Sequence, residues 1–97
     1  MKYKIEYIST FYADVMQIID YLTEYPNKAK RIFEKVDKTL LALITMPEMY
    51  PVYDYFPSFR FIPVEDYLIF YTVDKSNRLI EVHRLINTRM DIPNQLL

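Results

Sequence analysis

The chain has 97 residues, a formal net charge of −1, one His and no Cys, Gly or Trp. That length fits one domain, and the 52% hydrophobic content excludes intrinsic disorder. Without Cys there is no disulfide scaffold, Cys-based zinc site or thiol nucleophile. One His makes no multi-His metal site, and no Gly means no P-loop or dinucleotide fingerprint, so no cofactor or metal is expected. With 12 basic and 13 acidic residues, any hold on nucleic acid needs a local patch rather than a global field.

Residues 1–8 alternate polar and apolar side chains from Lys2 to Ile8, which predicts a short first strand with one wet and one buried face. Ser9 and Thr10 then offer N-cap hydroxyls. Phe11, Val15, Ile18, Ile19, Leu22 and Tyr25 recur at helical spacing, so residues 10–25 are expected to form an amphipathic helix. Asp14, Gln17, Asp20 and Glu24 fall to its polar side. Pro26 disfavours helical geometry in the residue before it and ends the helix. A second helix over 27–46, capped by Asn27, carries the stripe Ala29, Ile32, Phe33, Val36, Leu40, Leu43 and Ile44 and stops at Pro47. Residues 46–57 have no period and are rich in Pro and Tyr, an ordered loop pinned by aromatics. Three strands follow at 58–65, 67–74 and 79–86, with hairpin-length turns at Glu65-Asp66 and Lys75-Ser76-Asn77. Residues 67–73 are apolar on both faces, as a central strand requires. Residues 87–97 read as a loose tail with room for a short turn.

The expected fold class is α+β, with the order β-α-α-β-β-β. A twisted, mainly antiparallel sheet carries the helical hairpin on one face. The opposite face is expected to be open to a partner or substrate. The N-terminus has charge but no apolar signal core, and no apolar run approaches membrane-spanning length, so a cytoplasmic location without a membrane partner is expected.

Residues suited to chemistry gather on the last strand. Alternation places Glu81 and His83 on one face and Ile80, Val82, Arg84 and Ile86 on the other. His83 is the side chain that titrates near neutrality, a candidate general base or acid. Arg60, Arg84 and Arg89 are candidates for forked contacts to phosphate. RNA cleavage by attack of its own 2′-hydroxyl needs such an inventory: a proton acceptor, a proton donor and cations on the crowded phosphate. The plainer reading is a structural His and arginines in salt bridges. Lys28, Arg31, Lys35 and Lys38 form a basic stripe on the second helix, which reads as a nucleic-acid track or as a solvated face interrupted by Glu34 and Asp37. Tyr50, Tyr53, Tyr55, Phe56 and Phe59 read as a binding surface or as a plug for a small core. Glu48, Asp54 and Asp66 are plain loop acids.

Residues 58–74, with Arg60 ahead of the aromatic block Tyr67-Leu68-Ile69-Phe70-Tyr71, and residues 79–91, ending Arg84…Arg89…Asp91, resemble the RelE/ParE superfamily. Tyr3 to Tyr7 and the two helical stretches fit the same pattern. These are toxins of bacterial type II toxin–antitoxin modules, also labelled plasmid stabilisation proteins. The resemblance implies the strand–helix–helix–three-strand fold and growth inhibition neutralised by a cognate antitoxin in a hetero-oligomer. Two targets occur in the superfamily: DNA gyrase for ParE-type members, and mRNA on the ribosome for RelE-type endoribonucleases. Ribonuclease members place an Arg after the first tyrosine of the central strand, where this chain has Leu68. They often end in Gly-Arg-Arg, where this chain has Thr88-Arg89-Met90, and many carry a late catalytic Tyr, whereas no Tyr follows Tyr71. The resemblance therefore carries over Arg89 alone as a ribonuclease position and tilts toward gyrase inhibition. A ribosome-dependent endoribonuclease using Arg89, Arg84 and His83, and a non-toxic antitoxin-binding module, are the alternatives.

Overall fold

A computed structural model describes residues 2–96. The elements run β1 (Lys4–Tyr7), α1 (Ser9–Tyr21), α2 (Pro26–Leu43), β2 (Arg60–Val64), β3 (Tyr67–Asp74), β4 (Leu79–Asn87) and a short α3 (Ile92–Gln95). The sheet order is β1-β4-β3-β2, so β3 and β4 are the inner strands. β2–β3 and β3–β4 are antiparallel hairpin pairs, and β1 joins β4 in parallel after the helical crossover. This is an α+β fold with a mixed sheet and helices packed against it.

Both helices are shorter than their apolar stripes suggest. α1 stops at Tyr21 rather than at 25, and α2 stops at Leu43 rather than 46. In α1 the exit is already made at Leu22, whose N–H returns to the Ile18 carbonyl, and Tyr25 becomes the residue that caps α2. Pro26 occupies the first turn of α2, where its missing N–H costs nothing, so Asn27 lies inside the helix and is not the cap. Ser9 and Thr10 do not cap α1 either. The cap position is Ile8, and the Thr10 hydroxyl donates instead to the His83 carbonyl at 2.7 Å.

The main core lies between the helices and one sheet face. Phe11 and Ile18 of α1, Leu22 just after it, and Ile32, Val36, Leu40 and Leu43 of α2 pack on Ile62, Val64, Tyr67, Ile69, Tyr71, Ile80 and Val82. Strand alternation breaks once. The pairing steps from Tyr71↔Val82 to Phe70↔Arg84, leaving His83 as an extra residue in β4. After this bulge Leu85, not Ile86, joins the helix-side core.

The opposite sheet face is not bare, contrary to expectation. Phe61 and Phe70 alternate away from the helices, and the loop before β2 folds over them. The Tyr53 ring centroid lies 5.1 Å from Phe70 and 5.7 Å from Phe61, both edge-on, and Phe59 lies 6.2 Å from Phe70. Phe70 is 0% exposed. Rings this large on an unroofed face drive the nearest apolar segment onto it. The loop is fixed at its start by the Tyr71 hydroxyl, which donates to the Pro47 carbonyl at 2.9 Å. Burial pushes that phenol up to about 12.

With no glycine in the chain, two turn positions with positive φ are filled by Glu65 (54°) and Arg78 (50°). Each left-handed residue costs on the order of 1 kcal/mol. At the β2–β3 turn the strained Glu65 is held by Arg31 and Lys35 of α2, both at 2.8 Å, and Lys28 reaches Asp66 at 3.7 Å. Three of the four basic-stripe residues thus clamp the hairpin turn to α2. The same contacts keep the Glu65 carboxyl below its usual range, through the Lys35 hydrogen bond first and the Arg31 bond second.

Candidate functional site

β1 stops pairing at Tyr7↔Val82, and beyond it the outer edge of β4 has no neighbouring strand. Backbone groups there need other partners. α1 supplies them from its side chains. Thr10 takes the His83 carbonyl, and Asp14 Oδ2 accepts the Leu85 N–H at 2.9 Å. The same carboxylate receives Arg84 in a forked pair, Nε to Oδ2 at 2.7 Å and Nη2 to Oδ1 at 3.1 Å. Arg84 Nη1 donates to the Gln95 carbonyl of α3, so one guanidinium ties together α1, β4 and the C-terminal segment.

Beside this junction lies a cavity of about 440 Å³ between α1, the end of β4 and the segment after it. Ile18, Tyr67 and Leu85 supply apolar wall, the Asp14–Arg84 pair is also in the wall, and the exposed Met90 and Arg89 lie on the outer side. The Arg89 N–H donates to Asn87 Oδ1 at 2.9 Å, and its guanidinium makes no ion pair among the described residues. The cavity can therefore take an apolar group with a negative charge near Arg89.

The structure brings Arg84 and Arg89 to one cavity and leaves the other candidates elsewhere. His83 does not line it. Its Nε2 lies 3.0 Å from the Thr72 hydroxyl and its ring stands edge-on to Phe59 at 5.1 Å, on the aromatic side of the sheet. Burial lowers the imidazole pKa, and the nearby Glu81 charge only partly opposes this. Arg60 is at the start of β2. Its Nη1 donates to the Tyr50 carbonyl at 2.7 Å and its Nη2 meets Glu48 at 3.2 Å, while Lys75 reaches the same carboxylate at 3.1 Å. Glu48 and Asp66 are thus ion-pair partners, not plain loop acids. Among the described residues no group of three or more His, Asp or Glu side chains converges as a metal-ligand set.

Asp14 is the site residue that the sequence reading misplaced. It is 8% exposed, not on the wet side of α1. The spacing held the signal: 11, 14 and 18 follow steps of three and four, the period of the buried stripe. Its charge argued for solvent, and only a partner on another element could reverse that. Tyr67 and Met90 were likewise not expected as cavity walls.

Among the described residues no helix is long and apolar enough to cross a membrane. A comparison with curated proteins found no match. A comparison with protein-family models found one over residues 5–92, from the middle of β1 into α3, for the family described as ParE toxin of type II toxin-antitoxin system, parDE.

Proposed function

This chain belongs to the ParE toxin family of type II toxin–antitoxin systems, and from that premise we propose that it arrests growth by acting on DNA gyrase in the cytoplasm and is silenced by a cognate antitoxin bound in a hetero-oligomer. The observation that supports gyrase over mRNA cleavage is the engagement of Arg84. Its forked pair with Asp14 and its bond to the Gln95 carbonyl occupy the guanidinium that a phosphate would need. His83, the proton carrier of a ribonuclease reading, does not line the cavity that holds Arg89. General acid–base catalysis requires its groups within hydrogen-bond reach of one reacting centre, directly or through one water. Arg89 remains as a surface cation beside a cavity with a mixed apolar and polar wall, which suits docking on a macromolecular target.

The test is to induce the protein alone and together with a candidate antitoxin. The expected result is growth arrest with gyrase-linked DNA breaks, relieved by the antitoxin. In vitro, the purified protein should inhibit gyrase supercoiling, and Arg89→Ala should weaken that inhibition while antitoxin binding persists. Codon-phased mRNA cuts without DNA breaks would assign the ribonuclease reading instead. Unaffected growth would leave only antitoxin binding.

A further inference from the structure

The walls of the cavity between α1, the end of β4 and the segment after it specify an occupant. Its volume of about 440 Å³ falls in the range of small-molecule sites, roughly 300–1,000 Å³. Ile18, Tyr67 and Leu85, all buried in the core, form its apolar part. Tyr21 and Met90, 76% and 50% exposed, stand at its mouth. Two phenol rings and a thioether are favourable neighbours for a flat aromatic body.

Three charged side chains line the cavity: Asp14, Arg84 and Arg89. Asp14 and Arg84 cancel in their forked pair, and the remaining Arg84 nitrogen is held by the Gln95 carbonyl. One positive charge is left over, on Arg89, which makes no ion pair among the described residues. Asp91, the next acid along the chain, does not line the cavity, and its carboxylate accepts the Asn94 amide at 2.6 Å. Asn87 adds a neutral donor. Its Oδ1 is taken by the Arg89 N–H, which leaves its Nδ2 for a ligand. A buried apolar floor under one uncompensated guanidinium selects an anion that carries its own apolar body and disfavours a cation.

We propose that this cavity binds a small aromatic carboxylate, its ring against Tyr67 and Leu85 and its carboxylate on the Arg89 guanidinium with help from the Asn87 amide. The ligand touches α1, β4 and the segment leading into α3 at once, so binding stabilises the C-terminal segment that Arg84 already holds. The site shares Arg89 with the docking surface proposed above. The inference does not rest on gyrase being the target, because the ligand is read on the protein alone.

The probes are phenylacetate, 3-phenylpropanoate and 2-naphthoate, each set against its neutral primary amide and titrated into the full chain by nuclear magnetic resonance. Ligands of this size bind with a Kd on the order of 1 mM. At least one acid should shift the backbone N–H signals of Leu85, Asn87 and Arg89 and the ring signals of Tyr67, and its neutral twin should bind about tenfold more weakly. Hydrogen exchange in residues 87–95 should slow with the acid bound. Arg89→Ala should bring the acid down to the affinity of its twin, and Arg89→Lys should restore part of the difference. Arg89 is exposed, so neither change threatens the fold, and Lys38→Ala, which removes an exposed cation of α2 outside the cavity, is the unaltered control. Equal binding of acid and twin, an affinity indifferent to Arg89→Ala, shifts centred on the basic stripe of α2, or no shift with any of the three acids would overturn the proposal. Tighter binding of the blocked dipeptide acetyl-Glu-Phe-amide than of every free acid would also overturn it, by assigning the cavity to side chains of a protein. No target is present in these titrations, so a failure of gyrase inhibition and a failure of this proposal are separate results.

Discussion

Asp14 shows how a single side chain joins separate parts of the chain. It satisfies an edge N–H of β4 and pairs with Arg84, whose guanidinium in turn holds the α3 carbonyl. Removing one member of a buried pair leaves the other without compensation, at a cost of about 3 kcal/mol, whereas removing both costs less. Asp14→Ala should therefore lower stability to urea by that amount, and the double variant Asp14→Ala/Arg84→Met should recover part of it. Equal losses in the single and double variants would contradict this account. His83 gives a pH dependence of defined sign. Burial depresses its pKa below 6.5, so the unfolded chain holds the proton more tightly than the folded one. Its contribution is present in full above that value and is lost as pH falls through it toward the folded-state pKa. Urea midpoints at pH 7.5 and 5.5 should diverge more for the native chain than for His83→Gln.

The helices and strands illustrate what period alone can and cannot decide. The apolar stripe of α2 was readable because Ile32, Val36, Leu40 and Leu43 all face the same core. Its ends were not, because caps depend on backbone geometry at single residues. Tyr25 caps α2 with no side-chain bond, and the first turn of α2 holds no acid to meet the helix dipole. Tyr25 is exposed, so Tyr25→Asp should add a cap and stabilise the protein by about 1 kcal/mol, measured as a rise in Tm. In β4 the alternating pattern predicted faces correctly as far as Val82 and failed beyond it. One unpaired residue at His83 moves Leu85 into the core and Ile86 out of the helix-side cluster. Nothing in a run of alternating residues announces a bulge, because the extra residue is chosen by pairing with β3 and by the end of β1, not by its own side chain.

At the scale of the whole molecule, the aromatic layer is the main departure from a two-layer sheet-and-helix plan. Phe70 is the residue that the loop covers most completely, and Phe70→Ala should cost about 4 kcal/mol. Hydrogen exchange should then rise first in residues 47–59, while α1 and α2 keep their protection. If the loop stays protected, the aromatic contacts do not hold it. The amino-acid sequence by itself determined the element order, the central place of β3, the helical hairpin and the family, because each is written in local periodicity or in residue strings that survive without a partner. Tertiary structure alone decided that Asp14 is buried, that Arg84 is engaged, that His83 and Arg89 belong to different sites, and that the second sheet face has a roof. Those outcomes depend on contacts between residues up to some seventy positions apart, and a charge or a ring has no fixed place until the group facing it is known.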